Sequence, residues 1–358
     1  MKIVSIVGAR PNFIKLAPIH YSIREIAEHI IIHTGQHYDY NLSKIFFSDL
    51  NIPNPDYNLE VGSNTAPNQI AQMITKLDAI FTKNKFDLVI VYGDTNSTLA
   101  GAITSNKTET RLAHVESGLR SFDKKMPEEI NRTVTDHISD FLFAPTDTAV
   151  KNLNRENISG KIYNTGDISV EVINKVKVLN KSKILKKLDL QSKEYLLLTM
   201  HRSENTKVTE NLLALIQAIT KLKEHKIIFP MHPRTLSFFK KKNLLEKIEK
   251  LNNIKIIEPL GYIDFINLMK NSNKIITDSG GIQKESFLLE VPCITIRNST
   301  EWIETVKFGW NLLTGLDSEK IIDAVKNWTP TKTNVKFLGN GRTSETIKDI
   351  ICRNLKVS

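Results

Sequence analysis

The sequence predicts an α/β protein of two Rossmann-like domains whose parallel sheets face a cleft, and three observations predict it. Its 358 residues exceed one ordinary core and suit two domains of roughly 170 residues each. Short β-branched runs alternate with amphipathic, helix-length segments from end to end, the pattern of parallel βα units with helices on both sheet faces. A hydrophobic share of 41% beside 25% charged residues belongs to a globular chain with a core, not to a disordered or collagen-like one.

In the first domain, expected over residues 1–172, the apolar run from residue 2 to 7 reads as a strand ended by Gly8. Further strands are expected at 29–33, 88–92, 111–115, 141–144 and 161–165, with helical patterns between them. The stretch 173–193 loses strand character and is read as a linker: it holds seven lysines from Lys175 to Lys193 against the single Asp189. Periodicity restarts at the apolar 195–200, opening a second domain expected over 194–340. Its strands are expected at 226–231, 254–257, 274–277 and 293–296, and its helices at 205–223, 236–251, 264–271 and 281–289. A last helix at 344–356, within 341–358, has no strand after it and is expected to cross back to the first domain.

Several function classes lose support at once. No apolar run approaches the roughly 20 residues of a membrane helix, so no membrane partner is expected. Met1 leads straight into the first strand, without the charged, apolar and cleavage regions of a signal peptide, which points to the cytoplasm. Two cysteines, Cys293 and Cys352, build neither a disulfide framework nor a Cys-based zinc site. The formal charge of +10 is uneven: residues 1–170 carry 17 basic against 19 acidic side chains, and residues 171–358 carry 32 against 20. No aromatics interleave with those lysines as base-stacking platforms, so a solvated surface is expected and nucleic acid is not.

The chemistry-bearing motifs follow strand ends. Gly8-Ala9-Arg10-Pro11-Asn12, with Lys15 one turn on, is neither GxGxxG nor a Walker loop. Arg10 and Lys15 at such an edge remain candidates for holding phosphate. Asp94, in Tyr92-Gly93-Asp94-Thr95-Asn96-Ser97-Thr98, and Glu116, in His114-Val115-Glu116-Ser117-Gly118-Leu119-Arg120, each follow an apolar strand. Glu128 and Glu129 open a helix behind Pro127. Singly these acids also fit helix caps or dipole partners; together at one sheet edge they fit an acid–base set. In the second domain, His201-Arg202-Ser203-Glu204-Asn205 ends one strand, and Asp278-Ser279-Gly280-Gly281-Ile282-Gln283-Lys284-Glu285 ends another. The Ser279-Gly280-Gly281 turn offers helix N-terminal N–H groups to a diphosphate, and Glu285 lies one turn further in, within reach of a ribose. His33 and His37 have HxxxH spacing around Gly35, a poor metal site, and no metal is expected.

Taken together, the motifs GARPNFIK (8–15), HTGQH (33–37), YGDTNST (92–98), AHVESGLRS (113–121), MPEEINR (126–132), HRSEN (201–205) and TDSGGIQKES (277–286) resemble those of the non-hydrolysing UDP-N-acetylglucosamine 2-epimerases. The resemblance implies a GT-B fold and an isomerase that inverts carbon 2 of a UDP-N-acetylhexosamine, giving UDP-N-acetylmannosamine from UDP-N-acetylglucosamine without a cofactor. Elimination of UDP to a glycal and its re-addition is the implied route. Residue by residue, it implies Asp94, Glu116 and Glu128 on the sugar side. Arg10 and His201 would act on the leaving group with Lys15 in support, Ser279, Gly280 and Gly281 on the phosphates, and Glu285 on the ribose. A homodimer and a place in surface-polysaccharide biosynthesis are family-based expectations. The chain departs from the family pattern at Thr300-Glu301-Trp302-Ile303-Glu304, where many members read Thr-Glu-Arg-Pro-Glu. This variant resembles a subgroup including a UDP-2,3-diacetamido-2,3-dideoxy-glucuronate 2-epimerase. The residues leave a GT-B glycosyltransferase, a hydrolysing epimerase and a non-catalytic UDP-sugar-binding regulator as alternatives.

Overall fold

Unbroken apolar runs, lacking the alternation of a half-exposed strand, form strands covered on both faces. The segments Leu88–Tyr92 and Tyr195–Thr199 are buried at every position. The computed structural model describes residues 1–36, 40–62, 64–179, 182–330 and 337–355. Its chain divides into two units, Met1–Lys175 with Lys336–Ser358, and Val176–Val335.

The first unit holds β1 (Lys2–Val7), β2 (Glu28–His33), β3 (Tyr57–Asn58), β4 (Leu88–Tyr92), β5 (Leu112–Val115), β6 (Phe141–Ala144) and β7 (Lys161–Asn164). They form one parallel sheet in the order β3-β2-β1-β4-β5-β6-β7. The order reverses between β1 and β4, and ligands of open α/β sheets bind outside the strand carboxyl ends at such a switch point. Tyr92 pairs with Val115, so the turns after β4 and β5 leave the sheet at one level. Below them, Val4, Ile6, Ile32, Met73, Leu77, Val89 and Val91 pack as a core, each fully buried aliphatic contributing about 1.5–3 kcal/mol.

The C-terminal helix Thr343–Leu355 belongs to this unit and packs on the helix Arg10–Ile23. Thr343 Oγ1 donates to the Thr165 carbonyl at 3.1 Å and Ser344 Oγ to Glu171 Oε1 at 2.9 Å.

The second unit holds β8 (Tyr195–Thr199), β9 (Lys226–Pro230), β10 (Ile254–Ile257), β11 (Lys274–Thr277), β12 (Cys293–Thr295) and β13 (Asn311–Leu313). Its parallel sheet runs β10-β9-β8-β11-β12-β13, with the switch point between β8 and β11. Thr199 pairs with Thr277, aligning the turns that carry His201 and Ser279.

The observed elements differ from expectation where breaks are local. The single helix expected over 205–223 is two, Ser203–Thr206 and Thr209–Lys221. That expected over 236–251 is also two, Pro233–Lys241 and Leu245–Glu249, because Asn243 takes a left-handed φ of 53°. Strands β3 and β13, of two and three residues, were too short for periodicity to reveal. The stretch read as a linker carries the end of the helix Ile168–Leu179 and the helix Ile184–Leu188.

Candidate active site

In the first unit the β1 turn is tied to the β4 turn by a buried asparagine. Asn12 Oδ1 accepts from the Gly8 and Ala9 amides at 3.2 and 3.1 Å, while its Nδ2 donates to the Tyr92 carbonyl at 2.8 Å. This links Arg10, at the start of its helix, to the strand end that carries Asp94. The Arg10 guanidinium lies 5.3 Å from the Phe46 ring centroid. Lys15 sits one turn into the same helix, and its ammonium pairs with the Glu116 carboxylate, both side chains being at most one-tenth exposed. Lys15 is expected to support phosphate; the partner it has in the structure is Glu116, expected on the sugar side.

Gly93 permits this approach. It holds φ +63°, a conformation that L side chains rarely adopt, and a Cβ there would stand 2.7 Å from Lys15 Nζ, which would have to move. Glu116 itself occupies the left-handed region at φ 70°. For a non-glycine residue that strain persists only where surroundings impose it, and it concentrates at functional sites. Here the Glu116 and Ser117 amides both donate to the Phe143 carbonyl, at 3.1 and 3.2 Å.

The helix Pro127–His137 clamps these turns. Thr95, not Asp94, caps the helix Asn96–Lys107, and the Asp94 carboxylate instead accepts from Arg132 Nη2 at 2.5 Å. Arg132 Nη1 donates to Glu129 Oε2 at 2.8 Å, and Glu129 also accepts from Ser121 and from the Phe122 amide. Glu129 is thus a buried structural acid. Glu128, half-buried, stands on the same first turn, one helical turn before Arg132. One turn beyond Arg132, fully buried Asp136 accepts from His114 Nδ1 at 2.6 Å, Arg120 Nη1 at 2.7 Å and the Gly118 amide at 3.0 Å. Burial alone would raise its pKa, but His114 and Arg120 outweigh burial and hold it below the usual carboxylate range.

In the second unit, Asp278 organises the β8 and β11 ends. It accepts from the His201 and Arg202 amides at 3.1 and 3.0 Å and from Asn205 Nδ2 at 3.0 Å, with His201 Nδ1 at 3.3 Å. Against the upward push of burial, His201 and these donors keep its pKa low. His201 is half exposed and steadied through one ring nitrogen. Ser279 is the N-cap of the helix Gly280–Leu288, which places Gly280 and Gly281 at its positive end. Glu301 Oε1 crowds Gly280, where a Cβ would meet it at 1.9 Å. Its other oxygen accepts from Arg297 at 3.0 Å, and Arg202 lies 3.9 Å away. Glu285 accepts from the Tyr262 hydroxyl at 2.9 Å. Trp302 is buried, and Lys284 Nζ lies 4.7 Å from its ring centroid.

The structure therefore joins Lys15 and Glu116 beside Gly93, the residue before Asp94, at the first switch point, and His201 and the Ser279–Gly281 turn at the second. Asn12, Arg132, Asp136 and Asp278 escaped the sequence reading although each lies in or beside a motif. Each has a partner distant in the chain, Tyr92 for Asn12, Asp94 for Arg132, His114 for Asp136 and His201 for Asp278, and spacing does not reveal those. Among the described residues no cluster of His, Cys, Asp or Glu is arranged to hold a metal ion, and no helix is long and apolar enough to cross a membrane. His37 lies outside the described residues.

The family model described as UDP-N-acetylglucosamine 2-epimerase matches residues 21–352. A UDP-N-acetylglucosamine 2-epimerase homolog of Methanococcus maripaludis is 51% identical over 359 residues, covering 99% of this chain and all of the relative. The UDP-2,3-diacetamido-2,3-dideoxy-D-glucuronate 2-epimerase of Pseudomonas aeruginosa is 37% identical over 363 residues, covering 99% and 100%. The crystal structure of Methanocaldococcus jannaschii UDP-GlcNAc 2-epimerase in complex with UDP-GlcNAc and UDP superposes with a TM-score of 0.93 at 44% identity, covering 99% of this chain and all of that one. With acids and turns at both switch points and a match across nearly its whole length, this chain belongs to the UDP-N-acetylglucosamine 2-epimerase family.

Proposed function

We propose that the protein inverts carbon 2 of UDP-N-acetylglucosamine without hydrolysis, by eliminating and re-adding UDP. The observation that carries this reading is the Lys15–Glu116 pair beside Gly93, the residue before Asp94, at the β1/β4 switch point. A hydrogen on carbon 2 beside an amide nitrogen is scarcely acidic, so direct deprotonation would leave an unstabilised carbanion. If the bond from carbon 1 to the UDP oxygen breaks as the carbon 2 proton passes to a base, the electron pair forms the glycal double bond and UDP leaves as the anion. Protonation from the opposite face and attack by UDP on carbon 1 complete the inversion.

Asp94, Glu116 and Glu128 supply base, acid and electrostatic support for the cationic ring. The Lys15 ammonium, paired with Glu116, holds that carboxylate in place and supports the phosphate contact. Arg10 and His201 stabilise the departing diphosphate, which the Ser279-Gly280-Gly281 turn holds, and Glu285 takes the ribose hydroxyls. Water must be kept from the glycal, since its attack would release free sugar. The active enzyme is a homodimer that feeds surface-polysaccharide synthesis from the cytoplasm.

Proton NMR of UDP-N-acetylglucosamine with the enzyme in deuterium oxide tests the reading. Deuterium at carbon 2 in an intact UDP-sugar pair is expected; free N-acetylmannosamine, or no exchange, overturns it. A second reading, a diacetamido-glucuronate sugar nucleotide as substrate, is favoured by Trp302 in place of the arginine and by the Pseudomonas relative. Comparing kcat/KM for the two sugar nucleotides decides between them.

A further inference from the structure

We infer that His114 and Asp136 form a buried imidazolium–carboxylate pair that sets the positions of the turns carrying Asp94 and Glu116. They are positioning residues for the reaction proposed above, and their role rests on that reading.

His114 lies within β5 and is wholly buried. Its Nε2 is 2.6 Å from the Gly93 carbonyl oxygen. A carbonyl only accepts, so this nitrogen carries a proton. Its Nδ1 is 2.6 Å from Asp136 Oδ1. The other Asp136 oxygen accepts from the Arg120 guanidinium at 2.7 Å and the Gly118 amide at 3.0 Å. A carboxylate so supplied with donors stays ionised, hence Nδ1 carries a proton as well. The charges balance locally, because Arg120 also makes a two-pronged contact with Glu156 at 2.8 and 2.7 Å. Two cations face two anions.

What the pair touches indicates what it does. Gly93 immediately precedes Asp94, and its carbonyl is held by the ring. Gly118 is two residues past Glu116, and its amide is held by the carboxylate. The helix that supplies Asp136 also supplies Arg132 to Asp94. One polar helix face, residues 129, 132 and 136, therefore fixes both acid-bearing turns from beneath. A packed apolar pair of like volume is often as stable as a buried ion pair or more so, so cohesion alone does not account for these charges. Elsewhere in the same unit His29, also buried, bonds a serine hydroxyl and another histidine, with its pKa lowered by burial to about 3. Burial in this sheet thus does not by itself charge an imidazole.

Neutron diffraction on crystals of the full chain reads the protons directly. Hydrogens on both ring nitrogens of His114 and none on Asp136 are expected; a single ring hydrogen, or one on Asp136, overturns the pair whatever the substrate proves to be. Kinetics with UDP-N-acetylglucosamine and the diacetamido-glucuronate sugar nucleotide then test the role. His114→Phe, which keeps bulk but no donor, should lower kcat about 100-fold with KM within about threefold and a cooperative thermal transition. His114→Gln, which keeps one N–H donor, should recover part of that loss. Equal kcat in both variants and wild type overturns the positioning role, as does a common loss without partial recovery by glutamine. If the wild type turns over neither sugar nucleotide, the functional reading fails while the neutron result still judges the pair.

Discussion

Replacing Arg132 by methionine removes the guanidinium that joins Asp94, at 2.5 Å, to Glu129, at 2.8 Å. Arg132 is 1% exposed and Glu129 6% by side chain, so water reaches neither well, whereas Asp94 is 28% exposed. Breaking a buried pair costs about 3–5 kcal/mol. Glu129 retains two contacts from Ser121 and the amide of Phe122, which places the expected loss at the lower end, about 3 kcal/mol. Mutual repulsion gives the same scale: two carboxylates about 5 Å apart at an effective dielectric near 20 repel by about 3 kcal/mol. The repulsion also displaces Asp94, so kcat should fall about 100-fold. Urea unfolding of R132M, E129Q and the double variant measures the energetics. A coupling of roughly 1–3 kcal/mol is expected, because neutralising Glu129 relieves what the loss of Arg132 creates. A loss below about 1 kcal/mol that adds independently to that of E129Q would refute the clamp.

Gly280→Ala should weaken UDP binding about ten- to hundredfold by calorimetry, since its Cβ would stand 1.9 Å from a Glu301 oxygen whose carboxylate Arg297 holds; unchanged affinity would remove the turn from the binding site. Asp278→Asn takes away the charge beside the His201 ring and should cut kcat about 100-fold or more with less effect on UDP affinity; wild-type turnover would leave Asp278 a purely structural role. His29 gives a pH dependence of stability whose sign follows from its lowered pKa of about 3. The unfolded chain binds a proton on it below about pH 6.5 and the folded chain does not, so its stabilisation is whole above that value. It is lost as pH falls toward 3, with a slope of about 1.4 kcal/mol per pH unit. Urea unfolding between pH 7 and 5 should show that slope, and His29→Gln should flatten it; identical slopes would mean that His29 is protonated in the folded chain.

Much of the fold was legible because a parallel βα unit is a local grammar. The first strand, expected over 2–7, is β1 at the same bounds, and the strands expected at 88–92, 141–144, 254–257 and 274–277 match β4, β6, β10 and β11. Each is a short, mostly apolar run between helix-length segments, a signal carried by neighbours in the chain. The same grammar put Arg10, Asp94, Glu116, His201 and Ser279 just past strand ends, and parallel sheets keep ligands at that edge.

Chain-local patterns by themselves determined the α/β class, the repeating units and the candidate residues. Which of those residues meet was decided by tertiary structure alone. Lys15 and Glu116 stand 101 positions apart and Asp94 and Arg132 stand 38 apart; their encounters depend on strand order and on the register of Tyr92 with Val115. Glu128 and Glu129 were equivalent on paper as first-turn acids. Only the packing of the helix against the Ser121 loop gives Glu129 the Ser121 and Phe122 donors. The physical reason is that propensity and periodicity act over a few residues, whereas a buried charge finds its partner through the packing of segments far apart in sequence, where leaving it unpaired would cost several kcal/mol.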